Sequence, residues 1–142
     1  MTSQALRLPV PTGWAADYVG IPFLDGGRDR SGCDCWGLVR LVYAEVLGID
    51  LPSHGEISAH DMARVSPLIR EGSACAPWLP VAGGAKPFDV LVMRGRPLHV
   101  GVMVDHRHVL HVEASTASVI VAIDNPQVRW RRLNLHRHEA LA

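Results

Sequence analysis

The fold is decided by the stretch Gly32-Cys-Asp-Cys-Trp-Gly-Leu-Val39, where a polar, turn-rich loop gives way to an amphipathic segment. Either Ser31 or Asp34 is suited to cap the start of a helix here, and Gly48 is suited to end it. The apolar residues in between recur at helical spacing: Leu38, Val39, Leu41, Val42, Val46 and Leu47. The spacing therefore predicts a helix over residues 34–47.

The second half of the sequence consists of short runs rich in Val, Ile and Leu, separated by brief turns. They predict five strands, over residues 88–94, 98–105, 108–114, 118–124 and 128–137. Short turns join antiparallel neighbours, because a parallel pair needs a long crossover. A further helical stretch over 58–70 is shortened by Pro67. The predicted class is α+β, with helices first and then a five-stranded antiparallel meander on which the first helix packs.

Composition limits the classes of function. The chain of 142 residues suits one domain, expected to span 1–142, and its 14 basic and 14 acidic residues give a net charge of zero. This balance removes the simplest argument for a nucleic-acid partner. No stretch reaches the ~20 apolar residues of a membrane-spanning helix, and Arg7 and Pro9 interrupt the start of the chain. We therefore expect cytoplasmic synthesis without a signal peptide, and no membrane insertion.

Cys35 lies at the predicted first turn of the helix. Unpaired N–H groups and a partial positive charge at a helix N terminus stabilise a thiolate, and they also stabilise a developing oxyanion. The alternative is a small buried residue with no chemistry, which is the usual role of a lone cysteine. A nucleophilic cysteine requires a base, so the histidines distinguish the two interpretations.

His99 lies within one predicted strand and His111 in the middle of the next, with a turn between them. They are centred on residue 105, so the hairpin makes them close to direct cross-strand partners on one face. This placement suits a base and the group that orients it. Two histidines at strand edges, without chemistry, are the alternative. The histidines at 54, 60, 136 and 138 are expected to be exposed.

Three motifs in order resemble the NlpC/P60 family of cysteine peptidases, across about residues 14–120. The stretch 32–39 resembles the nucleophile motif, Leu98-His-Val-Gly-Val-Met103 the histidine motif, and His111 the third polar position. The Asp-Cys-Trp-Gly variant and Tyr18-Val-Gly-Ile-Pro-Phe23 are similar to the phage-tail branch of the family. The resemblance implies a papain-like α+β core and cleavage of bacterial cell-wall stem peptides, typically between γ-D-glutamate and a diamino acid.

The resemblance also assigns roles to residues. Cys35 is the nucleophile, His99 the base and His111 the group that orients His99, whereas Tyr18, Asp34 and Trp36 contribute to substrate binding. Two residues depart from the family pattern: Phe88 stands where many members have Gly, and Trp36 replaces the commoner Ser. The implied partners are peptidoglycan stem peptides and phage tail proteins, and no cofactor is expected.

Other interpretations remain open. Zinc binding would draw on Cys33, Cys35, His106, His108 and His111, but one residue between the cysteines is fewer than structural zinc sites favour. A structural tail-assembly protein with the same fold is a rival from another class, and an acyltransferase or amidase is a closer one. The arginines of the last strand are predicted to be a solvated edge: Arg129, Arg131, Arg132 and Arg137.

Overall fold

A computed structural model describes residues 13–51, 78–95 and 98–142 of the chain. A 3₁₀ turn (Trp14–Tyr18) precedes a two-stranded ribbon of β1 (Arg28–Asp29) and β2 (Gly32–Cys33). Helix α1 (Cys35–Val42) follows and continues as a π-helical turn, Tyr43–Leu47. The remaining elements are β3 (Trp78–Pro80), β4 (Val90–Arg94), β5 (Leu98–Met103), β6 (His108–His111), β7 (Val119–Ala122), α2 (Pro126–Arg129), β8 (Arg132–His138) and a 3₁₀ turn, Glu139–Leu141. The α+β class is thus confirmed, and the helix predicted over 58–70 lies outside the described residues.

Helix α1 forms where the sequence predicted it. Asp34 is its N-cap, and one carboxylate oxygen accepts a hydrogen bond from the Gly37 N–H at 2.8 Å. Gly48 ends the helical segment with φ 70°, a left-handed conformation that glycine adopts without strain. The apolar side of α1 is buried and packs mainly on β5. This packing brings the start of the helix to the sheet.

Within the described ranges the sheet has six strands, one more than the five predicted, in the order β3-β8-β4-β5-β6-β7, and its neighbouring strands are antiparallel. The additional strand, β3, lies outside the five predicted ranges. The predicted meander is correct from β4 to β7, but β8 returns to pair with β4. Its start is later than predicted because Asn125 and Pro126 cap and open the short helix α2.

One buried ion pair accompanies the unexpected position of β8. Asp89, fully buried before β4, accepts hydrogen bonds from the Nε and Nη2 atoms of Arg137, each at 2.8 Å. His136 and His138, predicted to be exposed, are buried on the same strand. The ring of His138 packs edge-on against Trp78 with centroids 5.1 Å apart. The last strand therefore lies inside the sheet, between β3 and β4, and pairing on both sides accounts for its buried polar residues.

Phe88 has an unusual backbone conformation. Its φ of 75° lies in the left-handed region, where a glycine is free of strain and a bulky residue is not. This requirement explains why glycine suits the position. In this chain the Phe88 ring stacks on Trp14 with centroids 4.7 Å apart, and its N–H donates to the Met103 carbonyl at 2.7 Å. The Tyr43 hydroxyl donates to the Phe88 carbonyl, so packing and hydrogen bonds hold the strained residue in place.

No helix within the described ranges has both the length and the apolar character needed to cross a bilayer.

Candidate active site

Cys35 is the first residue of α1, as the sequence predicted. Its side chain is almost completely buried, with 5% of the residue exposed, and it borders a cavity of about 780 Å³. Burial raises the pKa of the thiol to about 11, and the neighbouring Asp34 carboxylate adds to this. Hydrogen bonds from the backbone at Val100 and Trp36 lower the pKa but do not outweigh burial. Burial thus opposes the stabilisation of a thiolate that the helix N terminus provides, and it favours the protonated thiol in the free protein.

His99 and His111 are hydrogen-bonded to each other. The Nε2 atom of His99 lies 2.8 Å from Nδ1 of His111, and the rings meet edge to face with centroids 5.1 Å apart. Both residues are buried. One imidazole nitrogen of the pair must donate and the other must accept. The contact therefore fixes the relative orientation of the two rings.

The register of this hairpin differs from the prediction. Val102 pairs with Leu110, and continuing that register sets Gly101, not His99, opposite His111. The two histidines are consequently diagonal neighbours on one face, which remain within reach of each other. The turn is centred on His106, and the Asp105 carboxylate fixes it by accepting hydrogen bonds from the N–H groups of residues 107 and 108 at 2.7 and 2.8 Å.

Both histidines are neutral at neutral pH. Burial lowers the pKa of His99, and the neighbouring His111 ring lowers it further. Burial likewise lowers the pKa of His111. The negative charge of Glu113 raises the pKa of both, and the positive charge of Arg131 lowers the pKa of both. In the neutral form each imidazole has one unprotonated nitrogen that can accept a hydrogen bond or a proton.

The cavity lies where β4 ends and β5 begins, and Cys35 and His99 both line it. His111 is not part of the lining among the described residues. The apolar residues that line the cavity include Phe23, Leu98 and Val112. Its charged lining residues are Asp25, Arg94, Glu113 and Arg131. The volume suits a short peptide segment, and the mixed lining suits a ligand with both apolar and charged groups.

The three residues assigned to substrate binding do not line this cavity among the described residues. Tyr18 is buried, and its hydroxyl donates to Glu45 Oε1 at 2.8 Å; burial and Glu45 raise its pKa to about 12. Asp34 is fully buried, and it caps α1 and accepts a hydrogen bond from Arg28 at 2.7 Å. Trp36 is 2% exposed. The contacts of Asp34 join the preceding loop to the helix start, whereas the contact of Tyr18 joins the first 3₁₀ turn to the π-helical turn.

The sequence reasoning missed Arg94, Arg131 and the loop residues Phe23 and Asp25 as parts of the cavity. Arg131 was predicted on a solvated strand edge, but its Nη2 atom lies 2.8 Å from Glu113 Oε2. A strand alternation pattern gives the face of a residue and not the end of the sheet at which a cavity opens. The position of Arg94 at the end of a predicted strand was the available signal.

The described ranges contain no group of three or more His, Cys, Asp or Glu side chains arranged to hold a metal ion. Cys33, one of the candidate zinc ligands, is fully buried, and its thiol donates to the Asp29 carbonyl at 3.0 Å.

A cysteine at a helix start that shares a cavity with one histidine of a hydrogen-bonded pair is typical of the Cys-His hydrolases. The sequence agrees with this class: residues 20–136 match the NlpC/P60 family. The chain belongs to the NlpC/P60 family, whose members are cysteine peptidases.

Curated relatives and solved structures are consistent with this membership. The chain is 22% identical over 121 residues to the murein DD-endopeptidase MepS/murein LD-carboxypeptidase of Escherichia coli K12, covering 82% of this chain and 54% of that protein. It is 46% identical over 43 residues to the gamma-DL-glutamyl hydrolase of Bacillus subtilis, covering 30% of this chain and 10% of that protein. It therefore spans about half of the first relative and a small part of the second.

Two solved structures share the fold. The NlpC/p60 domain of the peptidoglycan hydrolase SagA superposes with a TM-score of 0.58 at 20% identity, covering 96% of this chain and 98% of that one. An NlpC/P60 family protein from Bacillus cereus gives a TM-score of 0.65 at 17% identity, covering 92% of this chain and 41% of that one.

Proposed function

We propose that this chain is a peptidoglycan hydrolase that cleaves stem peptides with Cys35, His99 and His111. The observation that carries the proposal is the 2.8 Å contact between the two histidines, one of which shares a cavity with Cys35. A hydrogen-bonded pair of this kind orients a base, and the cavity gives a substrate access to both reacting side chains.

The reaction begins from neutral partners. The reaction requires the tautomer in which the Nε2–H of His99 donates to Nδ1 of His111, because His99 Nδ1 is then unprotonated and able to accept the Cys35 proton. The sulfur attacks the scissile carbonyl carbon, and backbone N–H groups at the start of α1 stabilise the oxyanion. The tetrahedral intermediate collapses, and the leaving amine takes the proton from His99. Water, deprotonated by His99, then attacks the thioester and releases the acid and the free thiol.

The bond that we propose is the one between γ-D-glutamate and the diamino acid. The likeness of a third of the chain to a gamma-DL-glutamyl hydrolase supports this choice, as does the likeness of most of it to a murein endopeptidase. We further propose that the protein works in the tail of a phage or prophage, which carries it from the cytoplasm to the cell wall. The support for the tail is the sequence variant at residues 34–37 and the stretch 18–23.

The test is the incubation of purified sacculi and of a synthetic γ-D-glutamyl-diamino acid peptide with the protein. We expect new free amines that mass spectrometry assigns to the γ-D-glutamyl bond, and none with Cys35→Ala. Cleavage of another bond would correct the proposed specificity. Transfer of the acyl group to an added amine, without hydrolysis, would favour the acyltransferase. A folded protein that binds tail proteins but cleaves nothing would overturn the proposal in favour of the structural alternative.

A further inference from the structure

Two arginines line the cavity next to the candidate catalytic residues, and they differ in their partners. The guanidinium of Arg131 is paired with Glu113 at 2.8 Å. The guanidinium of Arg94 has no ion pair and no hydrogen bond within the described ranges. Asp25, the other acidic residue of the lining, has interactions of its own. The positive charge of Arg94 is therefore available to a ligand.

The backbone of Arg94 is held firmly although its side chain is exposed. It is the last residue of β4, where its N–H donates to the Arg131 carbonyl at 2.7 Å. Its carbonyl accepts a hydrogen bond from Arg131 Nε at 2.8 Å. Leu98, its partner across the ladder, directly precedes His99. The sheet thus holds the backbone of Arg94 in place, and its side chain lies at the mouth of the cavity.

The surroundings favour a carboxylate as the ligand of Arg94. Leu98 and Val112 are apolar lining residues, so a ligand in the cleft excludes water from part of the wall. A guanidinium presents two parallel N–H donors that match the two oxygens of a carboxylate. A stem peptide carries such groups: the α-carboxylate of its γ-linked D-glutamate and the carboxylate at its C-terminal end.

We propose that Arg94 binds a carboxylate of the substrate and makes the enzyme select stem peptides in which that carboxylate is free over those in which it is amidated. The inference rests on the proposed function and deepens it. Arg94 is a specificity-determining residue, which acts on substrate binding and not on the proton transfers.

The test compares three synthetic stem peptides: one with both carboxylates free, one with the D-glutamyl α-carboxylate amidated, and one with the C-terminal carboxylate amidated. We expect one of the amidations to raise KM of the wild-type protein about tenfold to hundredfold, since a hydrogen bond to a charged group is lost. Which amidation does so identifies the carboxylate. Arg94→Gln should raise KM for the free peptide by the same factor, leave KM for that amidated peptide within about twofold, and leave kcat nearly unchanged. Arg132→Gln, an exposed arginine outside this cavity, is the matched control and should behave as wild type.

Two results would overturn the inference while the proposed function stands: equal KM values of the wild-type protein for all three peptides, or an equal rise for all three in Arg94→Gln. If no peptide is cleaved, the proposed function is contradicted, and the role of Arg94 is then tested by measuring peptide binding. Titration of the free and amidated peptides into Cys35→Ala, with and without Arg94→Gln, measures the preference without turnover. A preference that disappears with Arg94→Gln supports the inference, and absence of any preference or binding overturns it.

Discussion

His99 and His111 are joined by a 2.8 Å contact although they are not direct neighbours across the ladder. The residue opposite His111 is Gly101, which lies on the same face as His99. Because Gly101 has no side chain, the His111 ring can extend diagonally towards His99. A glycine in the histidine motif thus allows the two rings to meet.

Gly101→Ala should damage the histidine pair. The added Cβ would lie 2.7 Å from Val109 Cγ2, 3.0 Å from the Leu110 carbonyl oxygen and 3.1 Å from His111 Cβ, so the strands must shift. We expect a loss of about 1–3 kcal/mol in the free energy of unfolding. We expect kcat to fall on the order of 10²-fold, because the base loses its orientation. Chemical denaturation and ¹⁵N NMR of the imidazoles measure the two effects.

Gly83→Ala is the matched control, since nothing lies within 4 Å of the added Cβ there. It should change neither quantity. A wild-type kcat and unchanged imidazole signals in Gly101→Ala would show that the approach of the two histidines does not depend on this glycine.

The state of Cys35 can be read from its alkylation. With a pKa of about 11 and 5% exposure, Cys35 should react slowly with iodoacetamide at pH 7, and about tenfold faster for each pH unit up to pH 10. It should still be labelled before Cys33, which is fully buried and also has a pKa raised to about 11 by burial. Peptide mass spectrometry follows both sites. A rate that is independent of pH between 6 and 9 would indicate a thiolate paired with a protonated histidine.

Variants of the two cysteines separate chemistry from packing. Cys35→Ala should abolish cleavage and leave circular dichroism unchanged, whereas Cys33→Ser should retain most of the activity. Loss of activity in Cys33→Ser without loss of structure would show that Cys33 takes part in the reaction.

The sequence predicted local features well and long-range ones poorly. The helix with its Asp34 cap, and Cys35 at its start, follow from residues close together in the chain. The position of β8 between β3 and β4 does not, since it depends on contacts such as Asp89 with Arg137, 48 residues apart. The hairpin register was wrong by one position at its centre because the Asp105 side chain, not strand spacing alone, fixes the turn. Motif proximity does not give the direction of the Trp36 side chain: neighbours of a nucleophile on a helix point in different directions, and this one is buried in the core.

The proposed role of His111 is to hold the ring of His99. An amide can accept the hydrogen bond from His99 Nε2, so His111→Asn or His111→Gln should keep part of the activity. His111→Ala should lose more, on the order of 10²-fold or greater in kcat, since orienting groups of triads contribute up to ~10⁴. Near-wild-type rates for all three variants would mean that His111 is only a strand residue.

His99 variants provide the comparison. His99→Ala should lose at least as much activity as His111→Ala, and His99→Gln should not restore it, because a base must exchange a proton. Kinetics at saturating stem peptide, with circular dichroism of each variant, distinguish these outcomes.

Phe88→Gly should be more stable than Phe88→Ala, which is the reverse of the usual order for these two residues. Both Phe88→Gly and Phe88→Ala lose the ring that stacks on Trp14, at a cost of about 3–5 kcal/mol for the alanine. Only glycine relieves the backbone strain at φ 75°, so Phe88→Gly should be about 1 kcal/mol more stable than Phe88→Ala. Ordinarily glycine is the less stable of the two. Equal or lower stability of the glycine variant in urea unfolding would contradict a left-handed conformation here.

Arg131 and Glu113 should shift the acidic limb of the pH–rate profile in opposite directions. The positive charge of Arg131 lowers the pKa of His99 and of His111, and the negative charge of Glu113 raises both. In Arg131→Met the cation is lost and Glu113 is left unpaired, so the pKa of His99 rises. Because catalysis needs neutral His99, log kcat/KM should then begin to fall at a higher pH as the pH is lowered. In Glu113→Gln the pKa of His99 falls, and the decline should begin at a lower pH. Arg132→Gln, whose side chain lies outside the cavity, should leave the profile unchanged. Because burial lowers the pKa of His99 to about 3, the measurement is kcat/KM from pH 2 to 9 at constant ionic strength. Shifts of the same sign in Arg131→Met and Glu113→Gln would show that these charges do not act on His99.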